Sequence, residues 1–378
     1  MYLLNEMLLM TPVVLYAGLR LGSLLRGKAG RIVFALFYIF LLPAFPIAEG
    51  LGHGAAAGRA RVLIAILSDA LPYLLYLILI VVLADLVIGL LRLLKILSRP
   101  TLLRPGVRTA RFWGLLIVPA LIVAAGILNF AHLSVSRYRI AVPRRAATVE
   151  GLRIVFASDF HLGTMTSPRF LPRFVEAVNA LAPDLILIGG DMLEGDRPDE
   201  GAEAFAAQFR RLRAKYGVYG VPGNHEGFGG ANHYAFFARA GITLLRDEVK
   251  KFDGILYLAG RNDAGRSRSG AARRKTLAAL LVATPRDLPV ILVDHRPTEI
   301  EAAAANGVDI QFSGHTHDGQ LFPINFITAR QYELAWGYKK KGPTQIFVSC
   351  GVQLWGPRVR TVGVSEIMLV DVDFRGGL

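Results

Sequence analysis

The sequence predicts an α/β domain of stacked sheets with helices on the outside, preceded by an all-α transmembrane region of about four helices. Three observations carry this expectation. The chain is 53% hydrophobic with a mean hydropathy of +0.42, which is too apolar for a purely soluble protein. From about Leu152 the long apolar runs give way to short β-rich runs alternating with helical stretches. In that second part, Asp, Asn and His residues stand where the strands should end.

Taken in order, an apolar run covers Leu8 to Leu25 and a second Ile32 to Leu51. A third runs from Leu71 to Leu93 and a fourth from Phe112 to Leu133. Crossing a bilayer takes roughly 20 residues, so residues 1–134 are expected to hold four spans. No basic stretch precedes the first run and no small-residue cleavage site closes it, so it is expected to remain as a span. Asp85 falls within the third span and Asp69 near its start. A carboxylate at that depth needs a partner or a wet cavity, or else an interfacial position.

The loops set an expected orientation. Arg26, Lys28 and Arg31 lie between the first two spans, and Lys95, Arg99, Arg104, Arg108 and Arg111 between the last two. The remaining inter-span loop has Arg59 and Arg61. The richer loops are therefore expected in the cytoplasm of a bacterial inner or plasma membrane, with the catalytic region outside it. Arg137, Arg139, Arg144 and Arg145 argue the other way. They carry less weight because they border a large domain, which crosses largely regardless of charge.

Both parts are basic: 12 Lys/Arg against 4 Asp/Glu before Val135 give +8, and 31 against 25 give +6 from there on. Such a balance suits anionic lipids or phosphate-bearing substrates, and equally a solvated basic surface. The single cysteine, Cys350, excludes an internal disulfide and a thiolate metal cluster.

In the second part, Arg153–Ser158, Asp184–Gly189, Gly217–Val221, Val290–Asp294 and Asp309–Phe312 read as buried strands. Helical stretches separate them at Pro168–Leu181, Pro198–Lys215 and Pro297–Asn306, each opened by a proline whose missing N–H costs nothing there. Gln345–Cys350 and Thr361–Val372 follow without intervening helices and suggest a second sheet. Stacked sheets with outer helices follow from this order.

Five segments close those runs: Asp159-Phe160-His161, Gly190-Asp191, Gly223-Asn224-His225-Glu226, Asp294-His295 and Gly314-His315-Thr316-His317. Of the 8 histidines, five (161, 225, 295, 315 and 317) fall inside them. Singly, each segment reads as well as turn chemistry or a core residue. Together they gather donors at the carboxyl edges of strands, where α/β sheets collect ligands. Imidazole, carboxylate and amide oxygens suit Mn, Fe or Zn. Two such ions, about 3.5 to 4 Å apart, lower the pKa of a bridging water and clamp a phosphoryl group. The set therefore points to a two-metal phosphoesterase.

In this order and spacing the segments resemble the calcineurin-like metallophosphoesterases, with their DxH, GDxx, GNH(D/E), His and GHxH blocks, over roughly Gly151 to Val372. GHTHDGQLFP and the apolar first part are similar to the membrane-anchored YkuE-like and YaeI-like bacterial branch. The resemblance implies a four-layer αββα sandwich, set at residues 150–373, around two divalent cations. It makes Asp159, His161 and His317 ligands of the first metal and Asp191 the bridge. Asn224, His295 and His315 complete the second, and His225 stabilises the transition state or protonates the leaving oxygen. Glu226 stands where many members have Asp, and it either orients His225 or caps the following helix.

The tract Arg261–Lys275, with Arg261, Asn262, Arg266 and Arg268, could bind substrate or be an exposed loop, and Lys339–Lys341 form a second basic run. Phe228, Tyr234, Phe236, Phe237, Trp336 and Trp355 are candidates to meet lipid chains, and helix-core packing accounts for Tyr234 to Phe237 equally well. No nucleic-acid reader is visible, and nothing in the sequence sets an oligomeric state. The leading expectation is a membrane-anchored hydrolase of a phosphodiester or pyrophosphate in a lipid or lipid-linked substrate, by attack of a metal-bridging hydroxide. Two alternatives stand beside it. One is a UDP-2,3-diacylglucosamine pyrophosphohydrolase of lipid A synthesis, which needs a cytoplasmic site. The other is a catalytically silent membrane scaffold or sensor.

Overall fold

A computed structural model describes residues 2–52, 60–142, 147–163, 165–195, 201–263, 274–285 and 287–375, with residues 2–10 and 52 described in backbone only. The chain divides into two units: Met1–Leu128 with Gly356–Thr361, and Asn129–Trp355 with Val362–Leu378.

The first unit is helical: α1 Tyr2–Gly22, α2 Lys28–Leu41, α3 Ala44–Gly52, α4 Arg61–Ser68, α5 Ala70–Leu93, α6 Arg99–Leu103 and α7 Pro105–Ala131. Among the described residues, Arg61–Leu93 and Pro105–Ala131 are long and apolar enough to cross a membrane, and a third span results if the pair α2 and α3, bent by 41°, counts as one. The bend falls at Leu42-Pro43, where proline cannot donate a helical hydrogen bond. Four spans were expected; the first of them falls on α1, whose opening residues lie outside the described side chains. Asp85 has the partner its depth requires: Arg20 Nη2 donates to it at 2.7 Å and Tyr16 Oη at 2.6 Å.

The second unit holds two six-stranded mixed sheets. In chain order its elements are β1 Leu133–Ala141, β2 Gly151–Ala157, α8 Phe170–Ala180, β3 Leu185–Ile188, α9 Ala202–Phe209 and β4 Val218–Gly220. Then come α10 Asn224–Gly229, α11 Ala231–Arg239, β5 Thr243–Leu244, β6 Glu248–Phe252, β7 Leu256–Gly260, α12 Leu277–Leu281 and β8 Val290–Val293. The last are α13 Ile300–Ala305, β9 Ile310–Ser313, a 3-10 turn His317–Gly319, α14 Ile324–Gln331, β10 Gly337–Lys341, β11 Thr344–Val348 and β12 Ser365–Asp373. The first sheet runs β1-β12-β2-β3-β4-β5 and the second β10-β11-β9-β8-β7-β6.

Strand periodicity builds the layers. Ile154 and Phe156 of β2 join Leu185 and Leu187 of β3 in a core shared with Phe312 and Phe347 of the second sheet. Their alternates Val155, Ala157, Ile186 and Ile188 face helices α8, α9 and α11 through Phe174, Phe209 and Phe236. On the far side, Ile300 of α13 packs on Ile346 and Val348 of β11. The layers are thus helix, sheet, sheet, helix.

Two elements depart from expectation. β12 was expected in the second sheet, but it pairs antiparallel with β2 and parallel with β1, in the first. Alternation marks a strand without saying which sheet takes it. β1 itself lies between the two expected regions, and its partly buried residues, Leu133 and Val135, hid the pattern. Phe236 and Phe237, taken as candidates to meet lipid, are fully buried core residues.

Candidate metal centre

Each expected site residue follows the carboxyl end of a strand: Asp159 and His161 after β2, Asp191 after β3, Asn224 and His225 at the start of α10 after β4, His295 after β8, His315 and His317 after β9. Backbone strain marks these loops. Asp159, His161, Asp191, His315 and His317 all have positive φ, between 41° and 73°, a region that costs non-glycine residues energy and clusters at functional sites. Close approach of backbone adds to it. A Cβ on Gly314 would meet Asp159 Oδ2 and Ser158 Oγ at 2.3 Å, and one on Gly223 would meet Asp191 Oδ1 at 2.1 Å.

Three overlapping groups of donors result: Asp159, His161 and His317; His161, Asp191 and His225; Asp191, His295 and His315, with ligand atoms in each lying within 4.8 Å of one another. Asp191 belongs to two of them, and so does His161. His295 Nε2 lies 3.3 Å and His161 Nε2 3.8 Å from Asp191 Oδ2. His317 Nε2 lies 3.6 Å from Asp159 Oδ1 and 3.3 Å from His161 Nε2.

The surrounding hydrogen bonds hold these side chains in ligating orientation. His295 Nδ1 donates to the Gly189 carbonyl at 2.7 Å, which leaves Nε2 free to bind through its lone pair. Asp159 accepts from the His315 amide at 3.1 Å and from Ser158 Oγ at 2.5 Å. His225 N donates to Asp191 Oδ1 at 2.9 Å, which fixes the start of α10, and with it Asn224, beside Asp191. Asn224 Oδ1 is buried without a hydrogen-bond partner. A buried amide oxygen with no donor, next to clustered imidazoles and carboxylates, fits a cation.

Glu194 was missing from the expected set. Its Oε2 accepts from His161 Nδ1 at 2.8 Å and lies 3.3 Å from His225 Nδ1, so one carboxylate holds two imidazoles. Register brings it there: β2 and β3 pair in parallel, and an isolated bridge between Leu162 and Leu193 extends that pairing into the loops. Glu226 caps and does not orient His225. It accepts from the amides of Gly223 (2.6 Å), Met192 (2.7 Å) and Asp191 (2.9 Å), tying two ligand loops together.

The charges follow the geometry. Burial opposes ionisation of Asp191, but His295 above all holds it well below the usual carboxylate range. Burial likewise opposes charge on His295, yet Asp191 raises it to about 10. His225 is raised to about 9 against burial by its hydrogen bond to Glu194 and by Asp191. Burial and His295 lower His315 to about 3, so its imidazole is neutral. Burial opposes the charge on Glu194, and its bonds to His161 and His225 hold it at about 2.

Other candidates fall elsewhere. Asp294 is not part of the centre; Arg261 donates to it at 3.2 Å and Arg274 also pairs with it. Arg261 is 1% exposed and bonds Glu299 and the Lys275 carbonyl as well, so its guanidinium braces the fold. Asn262 accepts at its carbonyl from Arg274 and donates its amide to Asp247, a loop brace. Arg266 and Arg268 lie outside the described residues.

Residues 152–319 match the family model of the calcineurin-like phosphoesterases. An uncharacterized metallophosphoesterase of Helicobacter pylori (strain J99) is 32% identical over 219 residues, 57% of this chain and 58% of that protein. The chain thus spans under two thirds of that relative's length. A transmembrane protein with metallophosphoesterase domain from Bos taurus is 28% identical over 267 residues, 66% of this chain and 60% of that one. The uncharacterized metallophosphoesterase YkuE of Bacillus subtilis (strain 168) is 27% identical over 228 residues, 58% of this chain and 78% of YkuE.

Proposed function

We propose that this chain, whose residues 152–319 match the calcineurin-like phosphoesterase model, is a membrane-anchored phosphoesterase working with two divalent cations on a lipid or lipid-linked phosphodiester or pyrophosphate. The observation that carries the reading is the pair of three-residue ligand groups, Asp159/His161/His317 and Asp191/His295/His315, linked through a third that shares His161 and Asp191. Asp159, His161 and His317 would hold one ion, His295, His315 and Asn224 the other, with Asp191 between. When bound, the cations supply charge neutralisation at the phosphoryl oxygens and a lowered pKa for water.

The protein's own residues do the rest. Asp191 and Asp159, both buried, set the negative charge that two cations compensate. Glu194 holds the Nδ1 proton of His225, which leaves Nε2 of that imidazole to deliver a proton to the departing oxygen. The partly open His225 side chain, 16% exposed, allows it to meet a substrate.

The membrane half of the reading is supported by two helices apolar enough to span a bilayer and by relatives named as transmembrane proteins. The loop charges favour an extracytoplasmic site. Purified full chain with Mn2+ should hydrolyse bis-p-nitrophenyl phosphate, and Asp191→Ala should abolish it. Turnover that survives in Asp191→Ala, or wild-type protein that binds metal without turnover, would overturn the proposal, the latter in favour of a silent scaffold. Comparison of membrane lipids by mass spectrometry in cells with and without the protein then tests the substrate class.

A further inference from the structure

The metal-site loop runs straight into an apolar segment that the fold leaves bare. After the His317–Gly319 turn come Phe322-Pro323 and α14, a helix that buries none of its side chains. Phe322 is 50%, Phe326 63% and Ile327 68% exposed, and the two phenyl rings touch at 5.7 Å between centroids. Elsewhere among the described residues of the α/β unit, large exposed apolar side chains such as Val282 and Phe228 are scattered. Here, with Ile324, four fall within six residues. A patch of this kind marks a contact surface.

Its charge and the rest of the chain indicate what covers it. Arg330, exposed in the last turn of α14, adds a cation to the apolar stripe, the combination that favours an anionic interface. The same chain carries helices fit to cross a bilayer. The Phe322–Ile327 segment approaches the metal-site loop closely: a Cβ on Gly319 would meet the Asn325 backbone at 2.7 Å.

We infer that the Phe322–Ile327 segment enters the surface of an anionic phospholipid bilayer and holds the His315–His317 loop at the plane of the headgroups. This deepens the lipid-substrate reading by giving the site a route to headgroup phosphates, and it rests on that reading only for its use. An apolar helix face of this size sinks about 5–10 Å into the interface.

The test uses the full chain in nanodiscs. Its one cysteine, Cys350, is buried, so an environment-sensitive fluorophore can be placed selectively through Phe326→Cys, with Val282→Cys, 83% exposed, as the control. Labelled protein must first keep its bis-p-nitrophenyl phosphate hydrolysis. Quenching by shallow doxyl lipid at position 326 should exceed that at 282 by at least about twofold, and grow when phosphatidylglycerol replaces part of the phosphatidylcholine. Equal quenching at the two positions overturns the inference. So does emission that responds to protein concentration in detergent but not to doxyl lipid, which would place a second copy on the segment. Quenching without any lipid turnover would sustain the inference and remove the lipid-substrate reading. Lipid turnover without quenching would do the reverse.

Discussion

Replacing Glu194 by Gln keeps the shape of the side chain and removes its charge from two imidazoles at once. The bond from His161 Nδ1, at 2.8 Å, is the stronger, and the contact to His225 at 3.3 Å the weaker. A hydrogen bond to a charged group contributes about 1.5–3 kcal/mol. With its side chain 33% exposed, Glu194 is screened by water, which favours the lower end, about 1.5 kcal/mol. That corresponds to roughly tenfold in binding, within the 10–100-fold or so found when a partner of a metal-ligating histidine is lost. The Mn2+ dissociation constant, measured by isothermal titration calorimetry on the full chain, should therefore rise about tenfold. At saturating Mn2+, kcat for bis-p-nitrophenyl phosphate should still be lower, because His225 loses the negative charge beside its Nδ1 proton, and Glu194→Asp should recover part of both losses. Glu194→Gln with wild-type affinity and wild-type kcat would refute the reasoning.

Three further outcomes follow from the same geometry. In the metal-free chain His225 and His295 are raised to about 9 and about 10, above the roughly 6.5 of an unfolded histidine. Their stabilisation is thus complete below that value and lost as pH rises through about 9 to 10; since ligation needs His295 neutral, Mn2+ affinity should climb as pH rises towards about 10. Affinity that is flat between about pH 6 and 9 would contradict this. Arg261→Ala should cost at most about 3 kcal/mol, the lower end for a broken buried pair, because Arg274 still pairs with Asp294 and Glu299. Chemical denaturation would show the loss, while kcat on bis-p-nitrophenyl phosphate stays at the wild-type value; a specific fall in kcat with stability intact would return Arg261 to the substrate site. Glu226→Ala should strip the acceptor from three buried amides, at about 1–3 kcal/mol each as an upper bound. A melting temperature within error of wild type would show that the amides find other partners.

The clustered donors were legible because each stands directly after an apolar run, and the sheets turn that sequence rule into a common edge. What stayed hidden depends on register. Glu194 is an unmarked acid in a loop until β2 and β3 are paired, when the bridge from Leu162 to Leu193 sets it beside His161. Arg261 and Asp294 looked like members of a basic tract and a metal motif. They follow Gly260 and Val293, which face each other on the adjacent strands β7 and β8, so the two side chains meet in the core. β12 was visible as a strand, yet its placement between β1 and β2 could not be read from alternation. The exposed run from Phe322 to Ile327 could not be told from a core stretch, because apolar composition alone does not say which side chains face water.

Glu194 and Glu226 show why residue type alone could not assign roles at this centre. Both are glutamates within a few residues of a ligand, and both lie on the far side of the ligating side chains. Glu226 is fully buried and satisfied by backbone amides, and burial with the charge of Asp191 raises its pKa, so its work is to lock two loops. Glu194 is partly open to water and faces imidazole N–H groups, which hold it ionised at about 2, so its work is to orient histidines. The difference lies in what each carboxylate accepts from. Amide donors belong to the backbone and fix position; imidazole donors belong to ligands and fix the direction of a lone pair or a proton. A substitution at Glu226 should therefore act through stability, and one at Glu194 through metal affinity and proton transfer, with little exchange between the two effects.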